Sequence, residues 1–384
     1  MSRRRPLGKV VGVVCLSMAA AAAAAVDTTT IQAVQQRCAN RTPSAADTEQ
    51  IEAFVNQAIT AVLAAVDPAE AIAAREQIIQ FRGWDKGLAP YARVYVLAAK
   101  KRLGQAFEQV AGWADAQARL RTERNLIIVT ARLGSTEMRD VAVGRLKHPD
   151  TAVRYWAVKA LTNQHVVDEL NNELTGDAEA ARAILQALQE HLPTESQGVI
   201  LEQMASFAAR LKAPQDACVK LLLAVADKRR QAYEQWTVTS ERSDAAILEA
   251  LATAQQFTTS PEDKTRLAQA FGQLYSYVIQ RRILGDAVLK DLDKHQLKYA
   301  IVTVGQGALG EMLGQPYDEI SQAAVRDDVA ALQAAHDALL GSAGRSGLLP
   351  TKLKYQYAHD GGSTSPAPKT LKAPPAAKTL DSDN

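Results

Sequence analysis

The spacing of apolar residues constrains this chain more than any other feature. Ile51, Phe54, Val55, Ala58, Ile59, Val62, Leu63 and Val66 fall at i, i+3, i+4, i+7 intervals, which places one apolar stripe along a helix. The interval recurs in Ile200, Met204, Phe207 and Leu211, in Cys218, Leu221, Leu222 and Val225, in Ile247, Leu248, Leu251 and Phe257, and in Leu267, Phe271, Leu274 and Val278. Period-two alternation is nearly absent, which argues against a sheet. Start signals punctuate the stripes. In Asp67-Pro68-Ala69-Glu70 the aspartate is placed to cap, the proline to open the helix and the glutamate to occupy its first turn, and Ser260-Pro261-Glu262-Asp263 repeats the arrangement. Thr194 with Gln197 fits a capping box, and Ser243-Asp244 opens another helix. Short connections between helices imply antiparallel neighbours. The expected fold is therefore all-α, a stack of antiparallel helical hairpins.

The N-terminus reads as an export signal. Arg3, Arg4, Arg5 and Lys9 precede an uncharged run from Val10 to Ala25, and Ala23 and Ala25 satisfy the small-residue rule for cleavage. Residues 1–25 are thus expected to be a signal peptide, which places the protein in the periplasm or secretes it. Retention as an anchor is the alternative, although the run is short against the roughly 20 apolar residues a span needs. The opening Ser2-Arg3-Arg4-Arg5-Pro6 partly matches a twin-arginine signal, so either export route stays open. Of 44 basic and 42 acidic residues the signal takes four basic ones, which leaves 40 against 42. A near-neutral mature chain offers no global electrostatic trap for nucleic acid. Hydrophobic residues make up 47% of the chain and aromatics only 5%. Alanine dominates that fraction, which suits close helix packing. Cys38 and Cys218 survive maturation. A disulfide and two separate buried thiols both stand open.

One stretch resembles a known family. Leu146 to Leu161 carries Pro149-Asp150, Val153-Arg154, Ala157 and Ala160-Leu161 in the order of a HEAT repeat. Pro149 enforces the turn, Asp150 caps the second helix, and Val153, Ala157, Ala160 and Leu161 face the stack. A second copy lies 28 residues on, in Leu174, Asp177, Ala181-Arg182, Leu185 and Leu188. The resemblance covers residues 137–163 well and 165–191 more loosely. It implies an α-solenoid with a curved surface for a partner, and it implies no chemistry. Where the family places a ladder aspartate, six residues before the arginine, this chain has His148 and Gly176, which puts the polar ladder in doubt. A HEAT-like core over about 123–235 is then expected within a helical repeat domain at 27–340. Residues 341–384, rich in Gly, Ser, Pro and Lys, are expected to be a flexible tail, disordered from about residue 360.

The candidate chemistry is sparse. Gly305-Gln306-Gly307-Ala308-Leu309-Gly310 is a GxGxxG after a possible strand at Tyr299–Val304. Gly314-Gln315-Pro316 interrupts the helix that a nucleotide turn requires next, so a helix junction or close crossing is expected instead. Asp291 and His295 lie one turn apart without a third ligand. His336 falls on an apolar stripe and reads as a core histidine, and His148 as a structural one. No catalytic, cofactor or metal residues are assigned. The loop Phe81–Tyr91 gathers Phe81, Trp84 and Tyr91 among helix breakers. Trp84 and Tyr91 either meet a ligand or plug the stack. Arg154 and Arg182 are placed to meet an anionic partner if the missing ladder acids leave them free. Pairing with a neighbouring acid, such as Asp150 or Asp177, is the structural alternative. Trp156 is expected to fill the space between repeats.

The sequence thus describes an exported, non-catalytic scaffold for a protein or envelope polymer, with no cofactor and no nucleic acid, and with a membrane only if the N-terminal segment is retained. The alternative is an enzyme or cofactor- or metal-binding protein with its site between repeats. N-terminal sequencing of the protein from its native host is expected to begin near Val26, and an intact Met1 on envelope-bound protein would establish an anchor instead.

Overall fold

The structure is a computed structural model, and it describes residues 27–174, 176–359 and 363–375. The expected signal, residues 1–25, lies outside the described residues. Regular structure is almost all helix. The N-terminal group comprises α1 (Thr28–Arg37), α2 (Ala45–Ala64), α3 (Pro68–Gln80), α4 (Ala89–Ala111) and α5 (Ala116–Leu133). The middle holds α6 (Arg139–Val143), α7 (Thr151–Thr162), α8 (Gln164–Leu170), α9 (Ala178–His191), α10 (Gly198–Arg210), α11 (Gln215–Glu234) and α12 (Ser243–Phe257). Then come α13 (Pro261–Leu284), α14 (Asp291–Gln306), α15 (Ala308–Leu313), α16 (Glu319–Val325) and α17 (Val329–Leu340). No helix among the described residues is long and apolar enough to cross a membrane.

The start signals work as their chemistry requires. Asp67 accepts from the Glu70 amide, and the Glu70 carboxylate returns to the Val66 amide at 3.0 Å. Ser260 caps α13 through the Asp263 amide, with Pro261 opening the helix. Elsewhere tertiary contacts win. Thr194 donates to the His191 carbonyl and forms no capping box with Gln197. The stripe on α2 stops short of Val66, which is exposed beyond the helix end, and Leu174 and Phe257 are likewise exposed.

Helix packing runs in two rows. In one, α5 lies against α7, α7 against α10, α10 against α12, α12 against α14 and α14 against α16. In the other, α9 lies against α11, α11 against α13 and α13 against α17. The pairs α10–α11 and α12–α13 link the rows. Alanines make the close approach possible: Ala205 and Ala208 of α10 and Ala245, Ala250 and Ala252 of α12 are all buried. Trp156 is half-buried against the core and meets Tyr155 edge-on at 5.5 Å, so it covers the interface more than it fills it. Cys38 and Cys218 are both buried and unpaired.

A charged pair is sealed where α11 turns into α12. Arg229 and Asp244 have no solvent exposure and join through two 2.7 Å bonds, Nε to Oδ1 and Nη2 to Oδ2. The Tyr233 hydroxyl donates to the same carboxylate at 2.6 Å, and Arg229 Nη1 donates to the Thr239 carbonyl at 3.1 Å. Asp244 stands in the first turn of α12, as expected, with its carboxylate turned inward. Gly198 at the head of α10 sits against this cluster, where an added Cβ would lie 2.6 Å from the Thr239 carbonyl oxygen. Beside it, Arg281 of α13 pairs with buried Glu241 at 3.0 Å.

The expected flexible tail is in large part folded. A hairpin of β1 (Gly341–Ser342) and β2 (Arg345–Ser346), then α18 (Leu348–Leu353), then β3 (Tyr357–Ala358) paired with β4 (Thr364–Ser365), lead into an extended segment on α13. Tyr355, Tyr357 and Leu371 bury against the helices. Gly272 admits the two tyrosines, since a Cβ there would collide with the Tyr355 hydroxyl oxygen. A few anchors therefore order a stretch whose average composition is polar. Residues 360–362 and 376–384 lie outside the described residues.

Removing one partner of the sealed pair strands the other charge, which costs about 3–5 kcal/mol, whereas replacing both by apolar groups is often nearly neutral. Asp244→Ala is therefore expected to lower the denaturant midpoint sharply, and Arg229→Met with Asp244→Leu to recover much of the loss. An unchanged midpoint for Asp244→Ala would contradict the pair's role.

Candidate functional site

The loop between α3 and α4 builds one wall of a cleft. Gly83 adopts φ +77°, and the Tyr91 ring fills the space where a side chain would start, so only glycine turns the chain here without strain. The turn delivers Trp84 between two groups. The Arg82 guanidinium carbon lies 3.7 Å from the Trp84 ring centroid, and the His165 ring stacks at 3.9 Å and 28°. Two planar groups this close to one centroid occupy opposite faces. Trp84 keeps 39% exposure, but through its edge. It serves as a clamp between α3 and α8, and it does not offer a stacking surface to a ligand.

Arg82 also closes the end of α5. Its Nε donates to the Leu133 carbonyl at 2.8 Å and its Nη2 to the Gly134 carbonyl at 3.3 Å, where terminal helix carbonyls lack intrahelical partners. Gly134 has φ +52°, and Trp84 and His165 crowd its Cβ position at 3.0–3.1 Å. Glu169 of α8 completes the corner, 3.6 Å from Arg82. It accepts from the Thr136 amide at 2.7 Å and from the Thr136 and Ser135 hydroxyls. Burial, reinforced by the Arg82 charge, holds the His165 imidazole below its usual pKa, so the stacked ring is neutral at pH 7. Below this corner opens a cleft of about 490 Å³. Four carboxylates line it, from Asp85, Glu137, Glu169 and Asp177, against the guanidiniums of Arg82 and Arg93. Arg82 and Glu169 engage each other and Asp177 caps α9, so the charges left to the cleft are Asp85 and Glu137 against Arg93.

The other expected binding residues are not brought here. Tyr91 is fully buried and donates to the Phe81 carbonyl at 2.8 Å, so it closes the loop and meets no partner. Arg154 is not free either. It donates to Glu195 at 2.9 and 3.4 Å and to the His148 and Pro149 carbonyls at 3.0 Å. Arg182 pairs with Asp216 at 2.9 and 3.3 Å and remains exposed. Asp150, considered as a mate for Arg154, is held by Arg124 at 2.6 and 3.0 Å. Arg124, Arg154 and Arg182 are thus each engaged by an acid of another segment, Asp150, Glu195 and Asp216 respectively. Those acids are remote in sequence from their arginines, which is why a local motif does not display the pairing. His148 has the structural role expected of it: its Nδ1 accepts from the Asp150 amide at 3.0 Å, and its Nε2 meets Glu123 at 3.1 Å.

The remaining motifs resolve as structure. Tyr299–Val304 is helical within α14 and not a strand. Gly307 marks the junction of α14 with α15, and Gly305 lies against Ser321 of α16, a close helix crossing. His295 bonds the Asp291 backbone carbonyl at 2.7 Å. Among the described residues no group of three or more His, Cys, Asp or Glu is placed to hold a metal. His336 bonds Ser276 Oγ through Nε2 and Asp337 through Nδ1, both at 2.9 Å. That order matches a nucleophilic triad, but Ser276 is fully buried in mid-helix and also accepts from Gln280 Nε2 at 2.7 Å. A helix interior has no spare backbone N–H groups to stabilise an oxyanion. The relay orients Gln280 instead.

No protein-family model and no curated protein matches this sequence. Among solved structures, that of an engineered protein is similar over 85% of this chain and 81% of its own, at 13% identity and a TM-score of 0.33.

Glu195 governs an acid-sensitive joint. It is fully buried, and burial alone would raise its pKa. Hydrogen bonds from His191, Arg154 and the Gln197 and Ser196 amides outweigh burial and lower it from 4.5 to about 2. A lowered folded-state pKa adds stability that is complete above the unfolded value and is lost as pH falls through the folded one. The chain is therefore expected to lose stability between about pH 4.5 and pH 2. Glu195→Gln should flatten that limb in thermal melts, and an unchanged limb would exclude this carboxylate as its source.

Proposed function

We propose that this chain is an exported, non-catalytic scaffold, a HEAT-like α-solenoid that binds a protein or cell-envelope partner. The observation that carries the reading is the carboxylate-lined cleft under the Trp84 clamp. It is held by three separate segments, and the groups that shape it are already satisfied by one another. Such a corner is rigid before any ligand arrives, and pre-organisation lowers the cost of binding. The two rows of helices support the solenoid reading, because neighbour-to-neighbour packing of that kind generates extended surfaces.

The charge of the cleft decides the kind of partner. Arg154 is engaged by Glu195 and Arg182 by Asp216, so the case for an anionic partner at those residues is weak. Asp85 and Glu137 favour a partner segment that carries Lys or Arg, or a donor-rich polymer. Exposed charges of this kind set association rate and salt dependence more than raw affinity.

A pull-down from the native envelope fraction, with the full-length chain as bait, tests the reading. Asp85→Lys with Glu137→Lys reverses the cleft's exposed charge without touching the Trp84 clamp. The variant is expected to retain captured partner at least about tenfold less well at low salt, with the difference shrinking as salt screens it. Equal retention by both baits at every salt concentration would remove the cleft as the binding site.

A further inference from the structure

The C-terminal segment lies on α13 as a peptide lies on a receptor. Gln273 exchanges two bonds with the backbone of one residue: its Oε1 accepts from the Lys369 amide at 2.8 Å and its Nε2 donates to the Lys369 carbonyl at 3.2 Å. Gln280, two turns further along the same helix, bridges two residues of the segment. Its Nε2 donates to the Lys369 carbonyl at 3.2 Å and its Oε1 accepts from the Leu371 amide at 2.5 Å. Trp236 Nε1 then donates to the Lys372 carbonyl at 3.0 Å. All these bonds read backbone. Both glutamines are buried, and Gln280 is held in place by Ser276. Identity is read where side chains are buried, at Ala367, Pro368 and Leu371, while Thr370 and Lys372 face solvent. Backbone bonds for affinity and alternate side-chain pockets for choice are the general scheme of extended-peptide recognition. The groove also has room to spare: a cavity of about 200 Å³ is bordered by Gln280, His336, Ala367, Pro368 and Thr370.

The sequence holds a second match to what this groove reads. Pro368-Lys369-Thr370-Leu371 is followed nine residues later by Ala377-Lys378-Thr379-Leu380. The Lys-Thr-Leu order is kept, leucine falls at the buried position, and a small apolar residue replaces the proline. Asp381 stands where Lys372 does, a position that Trp236 contacts through the carbonyl and not the side chain.

We infer that α13 carries a recognition groove for extended segments of the pattern Pro or Ala, then two residues, then Leu, and that residues 377–380 are a second occupant competing with 368–371 for it. Both copies sit on one short tether, so exchange between them is intramolecular and runs at high effective concentration. When the second copy holds the groove, residues 363–375 leave α13 and their backbone groups become available elsewhere.

The test uses the full-length chain with Leu371→Asp and Leu380→Asp, which disables both of its own anchors, and fluorescent peptides of residues 363–375 and 376–384. Both peptides are expected to bind in an anisotropy titration, and each to weaken at least about tenfold when its own leucine becomes aspartate. Binding by the first peptide alone overturns the second occupant, and binding by neither, with helical circular dichroism retained, overturns the groove. Should the double variant lose its helical signal, the unaltered chain serves instead. Millimolar 376–384 peptide is then expected to speed hydrogen exchange in the chain's own residues 363–375, and unchanged exchange would refute the competition.

Discussion

A guanidinium and a carboxylate shut away from water hold the corner on which the C-terminal half is built. Arg229 and Asp244 sit in α11 and at the start of α12, and α13 lies against both helices. Desolvating two ions is expensive, and their attraction offsets the cost only when the remaining donors and acceptors are also satisfied. Here Tyr233 takes the spare carboxylate lone pair and Thr239 the spare guanidinium proton. The pair fixes the corner in one geometry, which an apolar contact would not do. That geometry sets the placement of Trp236 and of α13, and so the groove in which residues 367–372 lie.

Periodicity carries the fold class because a helix must cover its stripe, and a stripe is written locally. Caps at Asp67 and Ser260 are equally legible, since the groups they satisfy lie three residues away. The features that escape sequence reasoning depend on residues distant in the chain. Thr194 looks like a capping residue until His191 and Glu195 claim the turn. Ser243-Asp244 does open α12, but the buried partner of the Asp244 carboxylate, Arg229, lies 15 residues back on α11 and is not written in the start signal. The tail reads as disordered because Pro, Ala, Gly and Lys dominate its average, while its order comes from Tyr355, Tyr357 and Leu371 on a surface that sequence does not display.

The binding residues are legible in the same measure. The aromatic loop at residues 81–91 stands out for its odd composition, and it does border the cleft. The roles within it fall to other atoms than its composition suggests. Trp84 and Tyr91 are spent on structure, and most of the carboxylates that give the cleft its character come from other segments. Arg154 and Arg182 look unpaired because their mates, Glu195 and Asp216, lie 41 and 34 residues away. A charge is judged free or engaged only in three dimensions, so charge-based site prediction fails first in a protein laced by links between helices.

The two cysteines of the described chain bear on how it reaches its working state. Cys38 and Cys218 are buried and apart, and burial pushes the Cys218 thiol up to about 12, where almost no thiolate exists to react. No covalent crosslink between them is needed to close this architecture. The Cys218 sulfur is therefore a filler of the α11 interface, and a reagent reaches it only when the packing around that helix opens.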